Sequence, residues 1–348
     1  MITDMNNIHG FGNQIRENDV RGRILSLLRR ALGIREINER LDRIERELQP
    51  SKGKENTMHP FDTSLELLPG SEYSRYAIPL DYQPSRAFEP RYGYSHGKIE
   101  ALERWFTEHN GEYVEFLDFM NGLNVEHIPI FLSSGSPLAP AWIGGPICAF
   151  DSLALYAMVR KHAPKTYLEI GSGMTTCFAR QAIKDAGLET KIISIDPLPR
   201  REIDAICDEV LRDGLETCDL LPFDRLEAGD ILFFDGSHRS FMNSDVTVFF
   251  IDVLPRIKPG VIVHIHDINL PWDYPDSFKY WYWNEQYMLA VYFMMGKDKI
   301  NPIFPTTWVC RGMSLDSDKL PNFVDLGSTE ANLSWKGGGS MWFAKQTN

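Results

Sequence analysis

Short apolar runs alternate with longer amphipathic stretches along the chain from Phe150 onward. The runs lack polar alternation, which is typical of strands covered on both faces, as in a parallel sheet. Strands separated by helices of about 10–15 residues form βαβ units. The pattern predicts, in chain order, helix 151–162, strand 166–171, helix 174–186, strand 191–196, helix 200–212, strand 230–237, helix 243–257, strand 260–267, helix 284–296 and strands 304–311 and 340–345. The predicted fold class is therefore α/β, with a doubly wound, mostly parallel sheet.

The first part of the chain carries one helical stripe. Its isoleucine and leucine side chains recur at alternating spacings of three and four residues, which keeps them on one helix face: Ile34, Ile37, Leu41, Ile44 and Leu48. The stripe covers about two heptads. It suits either a short coiled coil at 34–48, joining copies of the chain into a homo-oligomer, or an amphipathic helix packed on its own domain. The polar segment 50–60 predicts a linker.

These patterns divide the chain into three regions. Residues 1–60 hold the N-terminal helix and its linker, and residues 139–348 hold the α/β domain. Between them, residues 61–138 are rich in Tyr, Pro and Gly, with two predicted helices near 98–110 and 112–120. No catalytic spacing stands out in that middle region, which we interpret as auxiliary, on the substrate side of the domain.

Composition and charge narrow the function classes. The chain has 348 residues, of which 43% are hydrophobic and 24% charged, so it can build a sizeable core. A net charge of −12 disfavours nucleic acid and anionic membrane surfaces as partners. The five cysteines are scattered without a C-x-x-C pair, and the chain has no uncharged apolar run of about 18 residues. We therefore expect a cytoplasmic protein without a membrane span or structural zinc.

The strongest local signal is the segment YLEIGSGMTT at 167–176, a strand that runs directly into a glycine turn and a helix. Gly171 and Gly173 let the backbone pass close to a ligand, and the helix start adds outward-pointing N–H groups. The next predicted strand ends in Asp196, which is placed to accept hydrogen bonds from a ribose diol. Together these features predict a nucleoside-binding site.

The same turn helps to discriminate between nucleosides. Dinucleotide enzymes of this topology carry a third glycine where this chain has Thr176, so a close helix approach to a pyrophosphate is not specified. Glu169 stands two residues before Gly171, at the strand tip. A carboxylate there repels a pyrophosphate and suits a cationic ligand. A nicotinamide-dependent dehydrogenase is therefore the weaker interpretation.

A second set of polar residues lies at two later strand ends. One strand ends in Asp235-Gly-Ser-His238, and the next in His264-Ile-His266-Asp267. Because ligands in a doubly wound sheet bind outside the carboxyl ends of the strands, both tips should open on the same crevice as the glycine turn. Asp and His side chains supply oxygen and nitrogen donors for a divalent metal. For His264, two residues deeper than His266, we expect either a hydrogen-bonded core position or a position that supports the ligand residues from behind.

E-x-G-x-G followed by an acidic tip on the next strand resembles the class I S-adenosylmethionine-dependent methyltransferases. The resemblance covers roughly 140–345 and implies their Rossmann-like fold, of about seven strands with an antiparallel last strand. It implies S-adenosylmethionine as cofactor, with its amino-acid half at Glu169, Gly171 and Gly173, its ribose at Asp196 and its adenine near Asp219.

The D-G-S-H tip resembles, more narrowly, the metal-dependent O-methyltransferases that tailor macrolide sugars and cephalosporin-type antibiotics. This resemblance implies that Asp235 and Asp267 are metal ligands and that His238 is the general base. Where that group has a Glu beside the second Asp, this chain has His266, which removes one negative charge. With His266 as a third ligand, the site suits magnesium or manganese, and iron or zinc as well.

Seven aromatic side chains follow the second acidic tip within twelve residues: Trp272, Tyr274, Phe278, Tyr280, Trp281, Tyr282 and Trp283. Aromatic faces with polar tips suit sugars and flat phenols, although a core or an oligomer surface is also rich in them. The combined hypothesis is an O-methyltransferase acting on a sugar, glycan or glycosylated small metabolite. The alternatives are a metal-independent methyltransferase using His238, the dehydrogenase and a noncatalytic scaffold.

Overall fold

The structure is a computed structural model that describes residues 89–93, 96–131, 138–143, 145–278, 281–313 and 338–346. All of these belong to one compact unit, Ser85–Asn348. The predicted N-terminal helix, its stripe at 34–48 and the linker lie outside the described residues.

Seven strands form one sheet in the spatial order β3-β2-β1-β4-β5-β7-β6. Their bounds are β1 Thr166–Ile170, β2 Lys191–Ile195, β3 Glu209–Leu211, β4 Ile231–Phe234, β5 Ile262–Ile265, β6 Ile300–Pro305 and β7 Met341–Lys345. The first five run parallel, and β7 is antiparallel to both of its neighbours. The predicted fold class, a doubly wound and mostly parallel α/β sheet with an antiparallel last strand, is confirmed. The carboxyl ends of β1, β2, β4 and β5 lie along one edge.

Eight α-helices are formed by the described residues: α1 Glu100–Glu108, α2 Asn110–Asn121, α3 Ala149–His162, α4 Met174–Ala186, α5 Leu221–Asp224, α6 Asp245–Val248, α7 Leu254–Arg256 and α8 Glu285–Gly296. A π-helical turn, Phe249–Val253, joins α6 to α7, so the predicted helix 243–257 is present with an irregular centre. Other short helical turns are Asp204–Ile206, Asp276–Phe278, Lys297–Lys299 and Trp308–Gly312. Among the described residues, no helix combines the length and the apolar character needed to cross a bilayer.

The predicted helix over 200–212 is wrong. The segment holds one helical turn and then β3, which pairs with β2 through Ile193 and Glu209. The Asp208 carboxylate accepts a hydrogen bond from the Ile192 N–H at 2.8 Å and pairs with Arg180. These contacts to a neighbouring strand and helix stabilise an extended conformation, which the local sequence pattern does not record.

The predicted strand over 304–311 is displaced. The strand runs from Ile300 to Pro305, and a helical turn follows it. At the end of β6 the Thr306 hydroxyl donates to the Asp151 carboxylate at 2.6 Å, and the Thr307 hydroxyl donates to the Ile268 carbonyl at 2.8 Å. These two hydrogen bonds turn the chain away from the sheet edge.

Helices α1 and α2 cover the β6 side of the sheet. Phe116 packs edge-on against Phe304 of β6, with ring centroids 4.7 Å apart, and Trp105 packs edge-on against Phe293 of α8 at 5.3 Å. Their buried aromatic rings extend the core of the α/β domain, because each ring contacts a domain side chain rather than solvent. The carboxyl ends of the central strands β1, β4 and β5 lie away from this contact, where a ligand site of a doubly wound sheet is expected.

Candidate active site

The turn after β1 is built against the end of β4. Gly171 adopts a left-handed backbone with φ of +81°, and a Cβ there would lie 2.0 Å from the Asp235 carbonyl oxygen. The Asp235 N–H donates to the Ile170 carbonyl at 2.9 Å, and the Gly171 N–H donates to the Ile195 carbonyl at 3.1 Å. Only glycine fits this position, since both the conformation and the contact exclude a side chain.

Gly173, two residues later, has room for a side chain, in contrast to Gly171. A Cβ at that position would meet only the Cβ of Arg200, in ordinary contact at 3.9 Å. We expect Gly171→Ala to lower the free energy of unfolding by about 3 kcal/mol or more, and Gly173→Ala to change it by less than about 1 kcal/mol. Urea unfolding of the two variants beside the wild type measures the difference. Equal destabilisation would contradict the close contact between Gly171 and Asp235.

A cavity of about 580 Å³ opens above this turn. Of the predicted cofactor-binding residues, Gly171, Gly173 and Asp196 line it, together with Asp235 and Glu216. Its volume lies within the usual range for a small-molecule or cofactor site. The Asp196 carboxylate, at the tip of β2, accepts hydrogen bonds from the N–H groups of Ser172 and Leu198 at 2.7 and 2.8 Å, which fixes its direction beside the cavity.

Glu169 lies beneath the turn rather than on the cavity wall. It is fully buried on β1, and its carboxylate accepts hydrogen bonds from the Tyr167 hydroxyl at 3.0 Å and from the Thr176 hydroxyl. The Thr176 oxygen in turn accepts from the Gly173 N–H at 3.0 Å, so the carboxylate supports the turn. Burial raises the pKa of Glu169 to about 7, although these hydrogen bonds oppose the rise.

The raised pKa of Glu169 predicts a pH-dependent stability. Between its unfolded pKa, about 4.5, and its folded pKa, about 7, the native state holds more protons than the unfolded state, so stability falls as pH rises through that window. Because Glu169→Gln lacks this titration, we expect the wild type to lose up to about 3 kcal/mol relative to the variant between about pH 5 and pH 8. Denaturant unfolding at several pH values tests this, and parallel stability curves for the two proteins would contradict it.

A second cavity, of about 530 Å³, adjoins the first. The two share a wall that includes Arg200, Asp235 and the backbone of Gly236 and Ser237. On its other side, the second cavity is lined by a charged group and an aromatic group: His238, His266, Asp267, Phe278, Trp281 and Trp283. The predicted metal and base residues therefore meet in one cavity, beside the predicted cofactor site.

Two carboxylates and two imidazoles converge in that cavity. Asp235 Oδ1 lies 3.6 Å from His238 Nε2 and 3.8 Å from His266 Nδ1. Asp267 Oδ2 lies 3.4 Å from His238 Nε2 and 3.6 Å from His266 Nδ1. One ligand atom each from Asp235, His238 and Asp267 lies within 4.8 Å of the other two, a spacing that suits a metal ion.

The backbone is strained where this cluster is built. His238 has φ of +62° and Asp267 has φ of +55°, both in the left-handed region that non-glycine residues rarely adopt. Each residue follows a strand end, β4 for His238 and β5 for Asp267. Such strain is retained where surrounding structure enforces it, and it commonly marks functional sites.

Residues 168–268, which run from β1 to just beyond β5, match a family model described as a methyltransferase domain. This segment is a methyltransferase domain. The predicted class, an S-adenosylmethionine-dependent methyltransferase, is thereby confirmed. The match contains the glycine turn, the D-G-S-H tip and both aspartates predicted as metal ligands, whereas the aromatic side chains of the second cavity lie beyond its end.

Solved structures of methyltransferases also resemble the chain, at low sequence identity. The O-methyltransferase from Bacillus cereus in complex with SAH is 14% identical, with a TM-score of 0.29 over 71% of this chain and 97% of that one. CmcI with Mg and SAM is 17% identical, with a TM-score of 0.29 over 57% and 72%. TomG from Streptomyces achromogenes, an O-methyltransferase of tomaymycin synthesis, is 12% identical, with a TM-score of 0.29 over 71% and 96%. No curated protein sequence matches the chain.

Behind each of the two imidazoles in the second cavity lies a buried carboxylate that sequence patterns did not single out. His238 Nδ1 and Glu285 Oε1 are 2.5 Å apart, and His266 Nε2 lies 3.7 Å from Asp151 Oδ2. Glu285 begins α8 and Asp151 lies in the first turn of α3, where acidic residues are common for the helix dipole alone. Sequence therefore offered no signal that these carboxylates face the site.

The carboxylates control the charge of the imidazoles. Burial alone would lower the pKa of His238, but Glu285, followed by Asp235 and Asp267, raises it above its usual value. Burial also opposes the charged form of His266, yet Asp267 and Asp151 raise the pKa of that imidazole well above its usual value. For Asp267, burial is outweighed by His266, and the pKa of its carboxyl is lowered.

Two further residues singled out in the sequence, Asp219 and His264, lie outside both cavities. Asp219 is not among the residues that line the first cavity, and its carboxylate accepts from the Leu221 N–H at 2.9 Å, at the start of α5. Glu216 lines the cavity instead. His264 is fully buried on β5, where it stacks on Phe233 at 3.8 Å and hydrogen-bonds the Ser340 hydroxyl at 2.9 Å. Its prediction as a hydrogen-bonded core residue is confirmed.

The aromatic segment 272–283 contributes one side chain to the core and three to the second cavity. Trp272 is buried and stacks on Trp308, so it belongs to the core. Trp281 is 45% exposed and stacks on Phe278 at 4.5 Å, while Trp283 lies edge-on to Phe278 at 4.8 Å. The second cavity thus has an aromatic wall of three rings, which adjoins its charged group where Trp283 contacts His238.

Proposed function

We propose that the chain is an O-methyltransferase that moves the methyl group of S-adenosylmethionine to a hydroxyl oxygen of an acceptor in the second cavity. The observation that carries the proposal is the wall shared by the two cavities, where Asp235 lies between the glycine turn and the imidazoles. The donor methyl and the acceptor oxygen can meet only where their cavities join. In-line transfer requires the reacting atoms to approach within about 3–3.5 Å. Because the acceptor hydroxyl loses its proton when its oxygen is methylated, a base is needed at that junction.

Three features of the first cavity support S-adenosylmethionine as the methyl donor. Gly173 leaves space beside the cavity without any local packing need for glycine. The Asp196 carboxylate at the tip of β2 suits the ribose hydroxyls of the donor. The buried carboxyl of Glu169 lies beneath the turn, and a bound cation such as the donor sulfonium would favour its ionised form.

The charged group in the second cavity fits a divalent metal. We assign Asp235, Asp267 and His266 as its ligands, with His266 Nδ1 within 3.8 Å of both carboxylates. His238 Nε2 lies slightly closer to them, at 3.6 and 3.4 Å, and is kept as the base because the D-G-S-H resemblance implies that role. This combination of oxygen and nitrogen donors suits magnesium or manganese, and also iron or zinc. When bound, the ion would lower the pKa of the acceptor hydroxyl and favour its attack. His266 would also be oriented by Asp151, the usual arrangement behind a metal-bound histidine.

His238 is the proposed general base. Its Nδ1 faces Glu285, and its Nε2 faces the cavity between Asp235 and Asp267. His238 Nε2 takes the hydroxyl proton while the acceptor oxygen forms a bond to the methyl carbon. The carbon–sulfur bond breaks with its electron pair moving to sulfur, which leaves neutral S-adenosylhomocysteine. Holding both reactants at the shared wall supplies most of the acceleration, since the sulfonium is already electrophilic.

The aromatic wall supports a small-molecule acceptor with an apolar face, and a sugar or glycosylated metabolite is the class we favour. Phe278, Trp281 and Trp283 present ring faces and edges to the cavity, which suits the C–H face of a sugar ring. Arg239 also lines this cavity, and its Nε donates to the Trp281 carbonyl at 2.9 Å, which fixes part of the aromatic wall.

Calorimetric titration of the full chain tests the proposed donor. We expect S-adenosylmethionine to bind and NAD to give no heat of binding, because Thr176 stands where a dinucleotide-binding turn has its third glycine. Each titration is run with and without magnesium or manganese, which separates donor binding from metal binding. Gly173→Ala serves as the matched variant, and we expect it to weaken S-adenosylmethionine binding at least about tenfold. Binding of NAD without binding of S-adenosylmethionine would overturn the proposed function.

A further inference from the structure

We infer that Glu285 is a positioning residue for the reaction: it holds His238 in the ring orientation and tautomer that direct a free Nε2 lone pair into the acceptor cavity. The inference rests on the proposed function in one respect, the role of His238 as base. It extends that function with a residue that lies 47 positions further along the chain, on α8 rather than at a strand tip.

The start of α8 contacts the D-G-S-H loop through both side-chain and backbone hydrogen bonds. Besides the 2.5 Å contact between Glu285 Oε1 and His238 Nδ1, the Asn284 N–H donates to the His238 carbonyl at 2.9 Å. The Asn284 side-chain oxygen accepts from the Ser240 N–H at 2.6 Å. Trp283 lies against the imidazole, with ring centroids 4.0 Å apart. These contacts leave the ring of His238 little freedom to rotate.

The burial of Glu285 argues against a role in stability alone. Its side chain is 0% exposed, and no hydrogen bond to Oε2 is formed among the described residues. Burying a carboxyl group with one oxygen unpaired is costly, and an apolar residue of similar size would pack there at less cost. The only hydrogen bond seen for the carboxyl group, within the described part of the chain, is the one to His238. A group kept at such cost points to a functional requirement.

The hydrogen bond selects one tautomer of the neutral imidazole. A carboxylate accepts but cannot donate, so it favours the form with a proton on Nδ1 and a lone pair on Nε2. Nε2 faces the Asp235 and Asp267 carboxylates at 3.6 and 3.4 Å, without a hydrogen bond to either, whereas Nδ1 and Glu285 are 2.5 Å apart, so the shorter contact keeps the proton on Nδ1. An amide in place of the carboxylate could donate to Nδ1, and the proton would then move to Nε2, where it blocks proton acceptance. Glu285→Gln therefore tests the tautomer with almost no change in volume.

The experiment combines kinetics with histidine NMR on the full chain. In protein labelled with ¹⁵N-histidine, dialysed against chelator and held at pH 9, the His238 signals are assigned by their loss in His238→Ala. We expect the wild type to carry its proton on Nδ1 and Glu285→Gln to shift it toward Nε2.

We expect kcat of Glu285→Gln to fall about 10²-fold or more, with the KM for S-adenosylmethionine within about twofold. The reason is that the wrong tautomer prevents His238 from accepting a proton but leaves the donor site unchanged. Glu285→Asp, which keeps the carboxylate, should recover part of kcat and the wild-type tautomer.

Gln286 provides the structural control. It is equally buried on the same helical turn, but its side chain accepts from the Asn269 N–H at 2.9 Å and does not contact His238. Gln286→Leu should lower the melting temperature without moving the His238 proton. The inference is overturned if Glu285→Gln keeps the wild-type tautomer, or if it loses activity only in proportion to its loss of stability, as Gln286→Leu does. Activity retained by His238→Ala would instead remove the proposed base, and the NMR result for Glu285 would stand independently.

Discussion

Replacing His238 with alanine is expected to lower kcat by about 10²- to 10⁴-fold, the usual contribution of a general base. The dissociation constant for S-adenosylmethionine should stay within about twofold, because His238 lines the second cavity and not the first. Steady-state kinetics with an acceptor, together with calorimetric titration of the donor, measure the two quantities separately. The combination of a large loss in turnover with unchanged donor affinity is what distinguishes a base from a residue of the cofactor site.

A matched control is available for the His238 variant. His127 is a partly exposed histidine whose Nε2 pairs with Asp185 at 2.7 Å, and it lines neither cavity. His127→Ala should leave kcat unchanged. Parallel losses of turnover and donor affinity in His238→Ala would contradict its assignment as the base, since they would indicate a disrupted cofactor site.

Removal of divalent metal is expected to have the second large effect. Dialysis against a chelator should lower turnover at least about 10²-fold, and magnesium or manganese should restore it, because the ion would supply the charge that stabilises the acceptor oxygen. Activity assays before and after metal replacement measure the effect. Full activity after thorough chelation would favour the metal-independent alternative, in which His238 acts with Asp235 orienting it at 3.6 Å.

Calorimetric metal titration of three variants separates ligands from the base. Asp267→Asn and His266→Ala should weaken metal binding, because both residues contribute proposed ligand atoms at the shared site. His238→Ala should retain metal binding while losing turnover. If instead His238→Ala abolishes metal binding and His266→Ala preserves it, the two imidazoles exchange roles, which the distances from His238 Nε2 to both carboxylates would accommodate.

Features formed by residues adjacent in the chain are predictable from the sequence alone. The glycine turn needs Gly171 where the backbone meets the Asp235 carbonyl, and the acidic tips follow directly from strands β4 and β5. A strand, its terminal residue and the following turn are adjacent in sequence, so their pattern predicts where the side chains emerge. The same adjacency explains why His264, two residues inside the β5 tip, is expected in the core.

Predictions failed where contacts between distant segments decide the local conformation. The 200–212 segment forms β3 because Asp208 and Glu209 contact β2, and the β6 strand ends early because Thr306 and Thr307 bond to α3 and to the loop after β5. Local propensity is a weak prior in each case, and long-range pairing overrides it.

The sequence by itself determined the fold class, the glycine turn and the identity of the strand-tip residues Asp235, His238, His266 and Asp267. Only the tertiary structure decided that two cavities share a wall at Asp235, and that Glu285 and Asp151 stand behind the two imidazoles. An acidic residue in the first turn of a helix has the same pattern whether it faces solvent or a catalytic histidine. The packing of α3 and α8 against the sheet separates these outcomes, because it fixes which side chains lose their water and must find a partner in the protein.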